Sequence, residues 1–389
     1  MRMCRIRLVS AAGGACAVLM LCACDASSLV SAHGSITGVV ENPSSSQLLS
    51  PPGFGDSPLW SVPFVSRPHV VDDGFVGVLD TAPSSDSATV QVVSDTGSSR
   101  FEVDVPKNRT QFAVTTAHDR ELLITEDVDP SDSGHAASLT ARDTRTGEVV
   151  WGPVGSAGCL TGTGLLIDAG CSSESAPPEA AISAADGHTT YLSGAVSESG
   201  GYAVVRDGDT AEIVTVDTGN TAWSTETVAP PPAALAGSAR FVQSAGSSVV
   251  VAWTVPTRPE PIQAVYRLSD AGIRWVSGAR TPMAVTADAG SGSTMITTGD
   301  LGDDGIAVLF PRYGNRGFTA DQFPGADRFT LVGGIVYGAS GSAVTAIDAV
   351  TGRVTGTSLG EAPVAMTPNG VALAADTDGY TAFKVIPHF

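Results

Sequence analysis

Basic residues are scarce in this chain of 389 residues. Lysine occurs only at Lys107 and Lys384, and 21 basic residues stand against 40 acidic ones, which gives a formal net charge of −19. A protein this acidic gains no electrostatic attraction to nucleic-acid phosphates or to anionic lipid headgroups. The composition therefore argues against nucleic acid as a partner.

Sequence patterns for catalysis and for tight metal binding are also missing. The six histidines are scattered singly, without the HxH or HxxxH spacing of a zinc site. The sequence contains no Gly-x-Ser-x-Gly elbow and no phosphate-binding glycine loop. Apolar spacing of the helical kind is almost absent as well, which predicts a β protein. We therefore expect no catalytic or cofactor site.

Three acidic segments are the remaining candidates for a metal site, and they carry oxygen ligands of the kind that calcium prefers. They span residues 127–132, 300–304 and 376–379. None matches the twelve-residue EF-hand loop, and acidic clusters are common in the solvated loops of a chain with 40 acids. We therefore predict no metal site.

The N-terminus has the pattern of a secretory signal. Arg2, Arg5 and Arg7 precede an uncharged stretch from residue 8 to residue 21, which is too short to span a membrane as a helix. The residues 21–24, Leu-Cys-Ala-Cys, resemble the lipobox that lipoprotein signal peptidase recognises. The resemblance implies a bacterial lipoprotein that is cleaved after residue 23 and lipidated on Cys24, with an ordinary secretory signal as the alternative. Cleavage removes three arginines and no acid, so the formal charge becomes −22.

Two cysteines remain in the body of the chain once Cys24 carries the lipid. Cys159 and Cys171 flank a turn that contains Gly164. Outside the cytoplasmic membrane disulfides persist, and a bond across one hairpin is geometrically reasonable. We predict a Cys159–Cys171 disulfide, with two free thiols as the alternative.

The chain divides into three segments. Residues 1–23 form the signal peptide. Residues 24–58, which are rich in Ser and Pro and poor in aromatic residues, are expected to form a flexible tether. Residues 59–389 carry a repeat and are expected to form one domain.

The repeat begins with a tight turn that is followed by a short apolar run. The apolar runs occupy residues 75–79, 122–124, 165–167, 202–205, 249–253, 295–298, 335–337 and 371–375. Their spacing of about 41 residues is typical of four-stranded propeller blades. The sequence thus predicts an all-β propeller of eight blades; a seven-bladed ring and a pair of β-sandwiches are the alternatives. The last unit lacks its final aromatic strand, and residues 59–62 have no partner, which predicts that an N-terminal strand closes the ring.

A second turn in each unit is followed by an aromatic residue. In five of the units the ring comes four residues after a turn glycine, at Phe101, Trp151, Tyr191, Trp223 and Phe318, and Trp275 follows a similar turn. Rings on the same face of a strand are expected to fill the layer between neighbouring sheets.

Two units carry a specific family resemblance. Residues 141–151 (ARDTRTGEVVW) and 346–354 (AIDAVTGRV) resemble the repeat of the pyrroloquinoline-quinone-type (PQQ-like) propellers. This family includes quinoprotein dehydrogenases, which share a vicinal Cys-Cys disulfide and a tryptophan under the quinone. The chain has no Cys-Cys pair, and its tryptophans mostly occupy the repeat position. The resemblance therefore implies the fold and does not imply an enzyme or a bound quinone.

The sequence favours a lipid-anchored binding or scaffold module on the extracytoplasmic face of the cell membrane. The lipid on Cys24 would provide the membrane contact, and a protein of the cell envelope would be the partner. One alternative is a sensor or carrier that binds a small ligand or carbohydrate in the propeller funnel. A second is a hydrolase or lyase that uses paired carboxylates.

Overall fold

The computed structural model describes residues 50–79, 86–128, 137–156, 158–161, 164–168, 178–234, 238–257, 259–277, 282–288, 290–298, 305–311, 314–341, 343–358 and 360–386. These residues form 32 β-strands and two short 3₁₀ helices, Pro232–Ala234 and Ala320–Gln322. Within them the chain has no helix long and apolar enough to cross a membrane.

The strands assemble into eight antiparallel sheets of four strands each. Blade 1 contains β2 (His69–Val71), β3 (Gly74–Leu79), β4 (Ser87–Ser94) and β5 (Ser99–Pro106). Blade 2 contains β6 (Phe112–Ala117), β7 (Arg120–Val128), β8 (Ala137–Asp143) and β9 (Val149–Ser156). Blade 3 contains β10 (Cys159–Leu160), β11 (Leu166–Asp168), β12 (Ala180–Ile182) and β13 (Thr189–Tyr191). Blade 4 contains β14 (Ala195–Ser199), β15 (Tyr202–Asp207), β16 (Thr210–Thr215) and β17 (Thr221–Ser224).

The second half of the ring repeats this arrangement. Blade 5 contains β18 (Ser238–Ala245), β19 (Ser248–Thr254), β20 (Ile262–Arg267) and β21 (Ile273–Val276). Blade 6 contains β22 (Pro282–Asp288), β23 (Ser293–Thr298), β24 (Ile306–Phe310) and β25 (Gly314–Phe318). Blade 7 contains β26 (Arg328–Val332), β27 (Ile335–Ser340), β28 (Ala343–Asp348) and β29 (Val354–Ser358). Blade 8 contains β30 (Ala365–Met366), β31 (Val371–Asp376) and β32 (Gly379–Lys384), and its fourth strand is β1 (Trp60–Val62).

The eight blades form a closed propeller. The first strands of blades 5, 6 and 7 contact one another in succession, and those of blades 8 and 1 do the same. The first strands therefore face the central axis, and the fourth strands lie at the perimeter. All eight apolar runs of the sequence fall on the second strands, so the prediction of eight blades is confirmed.

The hydrophobic core lies between the blades. The described residues form eight buried clusters, and each cluster joins side chains of two neighbouring blades. Each second strand contains a continuous apolar run because both of its faces are covered by adjacent sheets there.

The ring closes through the N-terminal strand, as the unpaired segment at residues 59–62 predicted. Trp60 pairs with Ala382, and the strand β1 continues the sheet of blade 8 at its outer edge. Further upstream, Phe54 forms a bridge with Val385 and is buried between blades 7 and 8. The propeller body therefore includes residues 50–58, which the composition of the sequence places in the expected tether.

Phe54 also explains an exception in the repeat. Gly356 stands where the other units have a ring, and a Cβ atom at this position would lie 2.7 Å from the backbone nitrogen of Gly53. The N-terminal segment thus occupies the space of the missing ring, and Phe54 adds an aromatic side chain to this layer beside Tyr337 and Phe383.

Most of the predicted rings lie between blades. A Cβ atom at Gly147 would lie 2.8 Å from Phe101 Cγ, so the ring of one blade packs on the turn glycine of the next. Trp151 packs on Gly187 in the same way, and Phe318 is buried. The prediction for Tyr191 is wrong, because this side chain is 73% exposed.

Two turn aspartates, Asp143 and Asp348, bind the backbone of their own turns. The Oδ1 atom of Asp143 accepts hydrogen bonds from the amides of Arg145 and Thr146. Asp348 Oδ1 accepts the corresponding bonds from Val350 and Thr351. These bonds stabilise the turn between the third and fourth strands.

Candidate functional site

Two kinds of connection share one face of the ring. The strands of each blade alternate in direction, so the links from first to second strand and from third to fourth strand lie on the same side. We call this side the turn face. The functional candidates of the structure lie here.

A cleft of about 660 Å³ opens on the turn face where blades 6, 7 and 8 meet. Its walls come from the strand connections of all three blades, and we call it the blade 6–8 cleft. Its lining residues are Gly290, Ser291, Ser293, Phe310, Pro311, Gly333, Gly334, Ile335, Asp348, Val350, Met366, Thr367, Pro368, Gly370 and Val385.

The rim of the cleft is apolar. Phe310, Pro311, Val350 and Pro368 line it, and Val350 is 50% exposed. Met366 enters from blade 8 and packs on Gly333, where a Cβ atom would lie 1.8 Å from Met366 Cε. The Gly333-Gly334 turn between the first two strands of blade 7 therefore also provides space for a side chain of the cleft.

The floor of the cleft is held by Asp288, the last residue of β22. Its carboxylate accepts hydrogen bonds from the backbone amide of Gly290 (3.2 Å) and from the Ser291 hydroxyl. It also accepts a bond of 3.0 Å from the amide of Gly334 in blade 7. Asp288 is 7% exposed, so a buried carboxylate joins blades 6 and 7 beneath the cleft.

Two buried hydroxyls in this region have no hydrogen-bond partner among the described residues. They are the Oγ of Ser293, which lines the cleft, and the Oη of Tyr337, and both side chains are 1% exposed. Burial and the charge of Asp288 raise the pKa of Tyr337, so its phenol remains protonated. An unsatisfied buried hydroxyl is unfavourable by about 1–3 kcal/mol, which a bound hydrogen-bonding group would recover.

A second, smaller pocket of about 200 Å³ lies between blades 1 and 2 and contains four carboxylates. Burial raises the pKa of Glu121 to about 6, whereas the hydrogen bond from Arg145 lowers the pKa of Asp72. Asp143 is engaged in its turn, and Thr144 donates a hydrogen bond of 3.1 Å to Glu121. The pocket is smaller than most ligand sites, and Asp72, Glu121 and Asp143 bind groups of the protein, so it lends no support to a carboxylate hydrolase.

Two further buried glutamates serve the fold. Glu198 accepts backbone hydrogen bonds from Leu165 (2.8 Å) and Gly201 (2.9 Å). Glu126 accepts bonds from the amide of Leu160 and from Arg109. Both carboxylates hold the first hairpin of blade 3 from its two sides, and burial raises the pKa of each.

The residues that the sequence singled out lie elsewhere. Cys24 and the lipobox are outside the described residues. Cys159 begins β10, Cys171 lies outside the described part, and the disulfide between them stays a prediction. Of the acidic segments, residues 129–132 and 300–304 are also outside it, and Asp376 accepts a hydrogen bond of 3.0 Å from Thr381. No group of three or more His, Cys, Asp or Glu in the described ranges is placed to hold a metal ion.

Sequence reasoning missed Asp288 and Ser293. They flank an Ala-Gly-Ser-Gly turn that is two residues longer than the tight turns of the repeat. That insertion is the available signal, and it indicates a departure from the repeat without indicating a pocket.

The fold and the site define the class of protein: an eight-bladed β-propeller with a cleft on its turn face. No family model and no curated protein matches the chain. BamB from Moraxella catarrhalis is 14% identical over 85% of this chain and 97% of its own, with a TM-score of 0.33. The β-propeller domain of Myceliophteria thermophila Cps50 (Swd1) is 9% identical over 83% and 99%, with a TM-score of 0.36. A eukaryotic initiation factor is 10% identical over 85% of each chain, with a TM-score of 0.42. These similarities carry no functional argument.

Proposed function

We propose that this chain is a lipid-anchored, non-catalytic binding module that holds a partner protein of the cell envelope in the blade 6–8 cleft. The observation that carries the proposal is the cleft itself: three blades contribute an apolar rim above a floor with an unpartnered buried hydroxyl. Apolar concave surfaces with a few polar groups are the usual form of a binding site. The sequence contributes the anchor at Cys24.

Site-specific photo-crosslinking tests the docking site. We expect a benzoylphenylalanine at Val350 to capture a defined protein partner in intact cell envelopes. The matched control is Val149, which is equally 50% exposed but belongs to blade 2 and does not line the cleft. Equal cross-linking at both positions, or none at Val350, would contradict docking in the cleft.

The anchor is tested separately with Cys24→Ala. We expect this variant to leave the membrane fraction and to lose the Val350 cross-link, because the tether no longer holds the propeller near the envelope. A variant that fractionates with the membrane as the natural chain does would refute lipid anchoring through Cys24.

A small ligand in the same cleft is the second candidate. The observation that favours it is the volume of about 660 Å³, which lies within the range of small-molecule pockets. A ligand that co-purifies with the chain and blocks cross-linking at Val350 would favour this candidate over a protein partner.

A further inference from the structure

The chemistry of the cleft floor restricts which partner it can accept. This inference rests on the proposed function and concerns the part of a partner that enters the cleft. Ser291 has a single hydroxyl proton, and it donates this proton to Asp288. One lone pair of the Ser291 oxygen accepts a hydrogen bond of 3.3 Å from the amide of Ser293. Toward the cleft the Ser291 oxygen therefore offers its remaining lone pair and acts as an acceptor.

The carboxylate behind Ser291 has no cationic partner among the described residues. Its three hydrogen-bond donors are two backbone amides and one hydroxyl, all of them neutral. Asp288 is 7% exposed, and a charge at this depth is screened less than a charge on the surface. The floor therefore has a negative potential.

The rim adds no positive charge. Lysine and arginine do not occur among the lining residues, whereas Asp348 does. Three cations bound to lining residues or to their chain neighbours are engaged with backbone carbonyls. Arg316 donates to Val350, Lys384 donates to Asn369 over 2.7 Å, and Arg274 donates to Leu309 over 3.2 Å. The net charge of −19 has the same sign as the floor.

The unpartnered Ser293 completes the floor. Its buried Oγ can accept a hydrogen bond from a group that enters the cleft, next to the acceptor oxygen of Ser291. The negative potential of the floor would repel a carboxylate of the ligand. An aliphatic side chain would leave the Ser293 hydroxyl without a hydrogen-bond partner. A hydrogen-bond donor with a positive charge satisfies both conditions.

We propose that the blade 6–8 cleft binds an apolar peptide segment of the partner through a lysine or arginine side chain that points to Ser291 and Ser293. The methylene groups of such a side chain match the apolar rim at Phe310, Pro311 and Pro368, while the charged end reaches the floor. The cleft thus selects a basic residue within an apolar sequence.

Three peptides of the form acetyl-Leu-Xaa-Leu-amide test the charge preference, with lysine, norleucine or glutamate at Xaa. The probe is titrated against the full chain in detergent, and binding is followed by ligand-observed NMR. We expect the lysine peptide to bind at least tenfold more tightly than the norleucine peptide, because only the ammonium group satisfies the floor. The glutamate peptide should bind most weakly.

Two variants locate the preference on the floor. Ser293→Ala is expected to reduce binding of the lysine peptide about fivefold and to leave the norleucine peptide unchanged. The matched control, Ser244→Ala, removes a hydroxyl from blade 5 and should change neither. Because Asp288 also joins two blades, Asp288→Asn is measured only after circular dichroism shows a folded chain, and it should abolish the difference between the peptides.

The outcomes separate this inference from the proposed function. Equal binding of the three peptides, or no binding of any of them, overturns the preference for a basic residue. Cross-linking at Val350 measures docking without reference to charge, so its presence would then leave the docking site intact. If the otherwise unsubstituted chain gives no cross-link at Val350, both the docking site and the preference for a basic residue are overturned.

Discussion

Turn glycines in this propeller have two roles at the scale of single residues. Gly97, Gly147 and Gly187 all have positive φ angles, of 83°, 75° and 76°, as the turn between third and fourth strands requires. Each of them also lies directly against an aromatic ring of the preceding blade. Glycine is needed here for its backbone freedom and for the space that its missing Cβ leaves.

Gly97→Ala is predicted to destabilise the chain through both roles. Its Cβ atom would lie 2.7 Å from Trp60 Cγ, and we expect the free energy of unfolding to fall by about 2–4 kcal/mol. The control is Gly208→Ala, with a φ of 58° and no atom within 4 Å of the new Cβ, for which we expect a loss of about 1 kcal/mol. Urea unfolding measures both, and equal losses would show that the ring contact is unimportant.

Of these two roles, the sequence indicates only the first. An Asp followed within a few residues by a Gly predicts a turn with a positive φ at the glycine, because the geometry of such a turn depends only on about five neighbouring residues. The contact with a ring depends on how far one blade is rotated from the next. The angle between neighbouring blades is set by the closure of the whole ring.

A repeated hydrogen bond links neighbouring blades at the scale of the strand. The Nε1 atoms of Trp60, Trp151 and Trp223 each donate to a backbone carbonyl in the corresponding turn of the next blade, over 3.0, 2.9 and 2.8 Å. In blade 3 the hydroxyl of Thr190 takes this role and donates to the carbonyl of Val216 over 2.6 Å.

Strand register explains why Thr190, and not Tyr191, donates the hydrogen bond to the next blade. In blades 1, 2, 4, 5 and 7 the pairing of third and fourth strands shifts by one residue near the turn, which is the effect of a β-bulge. Blades 3 and 6 pair without this shift. In blade 6 Phe318 lies opposite Ile306 and is buried, whereas in blade 3 Thr190 lies opposite Ala181 and takes the inward position. A difference of one residue moves a side chain to the other face of a strand, so Tyr191 points to solvent.

Thr190→Val is therefore predicted to destabilise the chain by about 1 kcal/mol, because a carbonyl between two blades loses its donor while the side-chain volume is kept. The neighbouring Tyr191→Phe serves as the control and should change the free energy of unfolding by less than about 0.5 kcal/mol. Chemical denaturation with a common baseline distinguishes the two. A larger loss for Tyr191→Phe than for Thr190→Val would show that Tyr191, and not Thr190, makes the contact between the blades.

At the scale of the whole molecule, stability depends on closing the ring. The strand β1 comes from the start of the described chain and completes a sheet made from its end. Phe54, Trp60 and Val62 are buried in this closure. Without them, β32 would present an unpaired edge, and such edges promote association between chains.

A chain that begins at residue 63 is predicted to be less stable than one that begins at residue 50. Exposing three large buried side chains removes about 5 kcal/mol of hydrophobic stabilisation, so the shorter chain should melt earlier and form oligomers. Thermal unfolding and light scattering after gel filtration measure these effects, and a peptide of residues 50–62 added in trans should restore the monomer. Identical melting of the two chains would show that the N-terminal strand does not close the ring.

The local features of this protein were determined by the sequence alone. Apolar second strands, turns built on Asp and Gly, and the number of blades follow from patterns within about 41 residues, because each blade is a series of hairpins between neighbouring segments. The unpaired segment at residues 59–62 also predicted the closing strand, since a ring leaves no room for an unmatched strand.

Tertiary structure alone decided the cleft, the inter-blade contacts and the role of Phe54. Ser293, Val350 and Met366 line the same cleft although they come from three different blades. Each of these sites depends on the packing of surfaces between separate segments, and that packing fixes register and distance to within a single residue or methyl group. Local propensity carries no record of these distances, so only the closed ring determines where the cleft lies and which atoms line it.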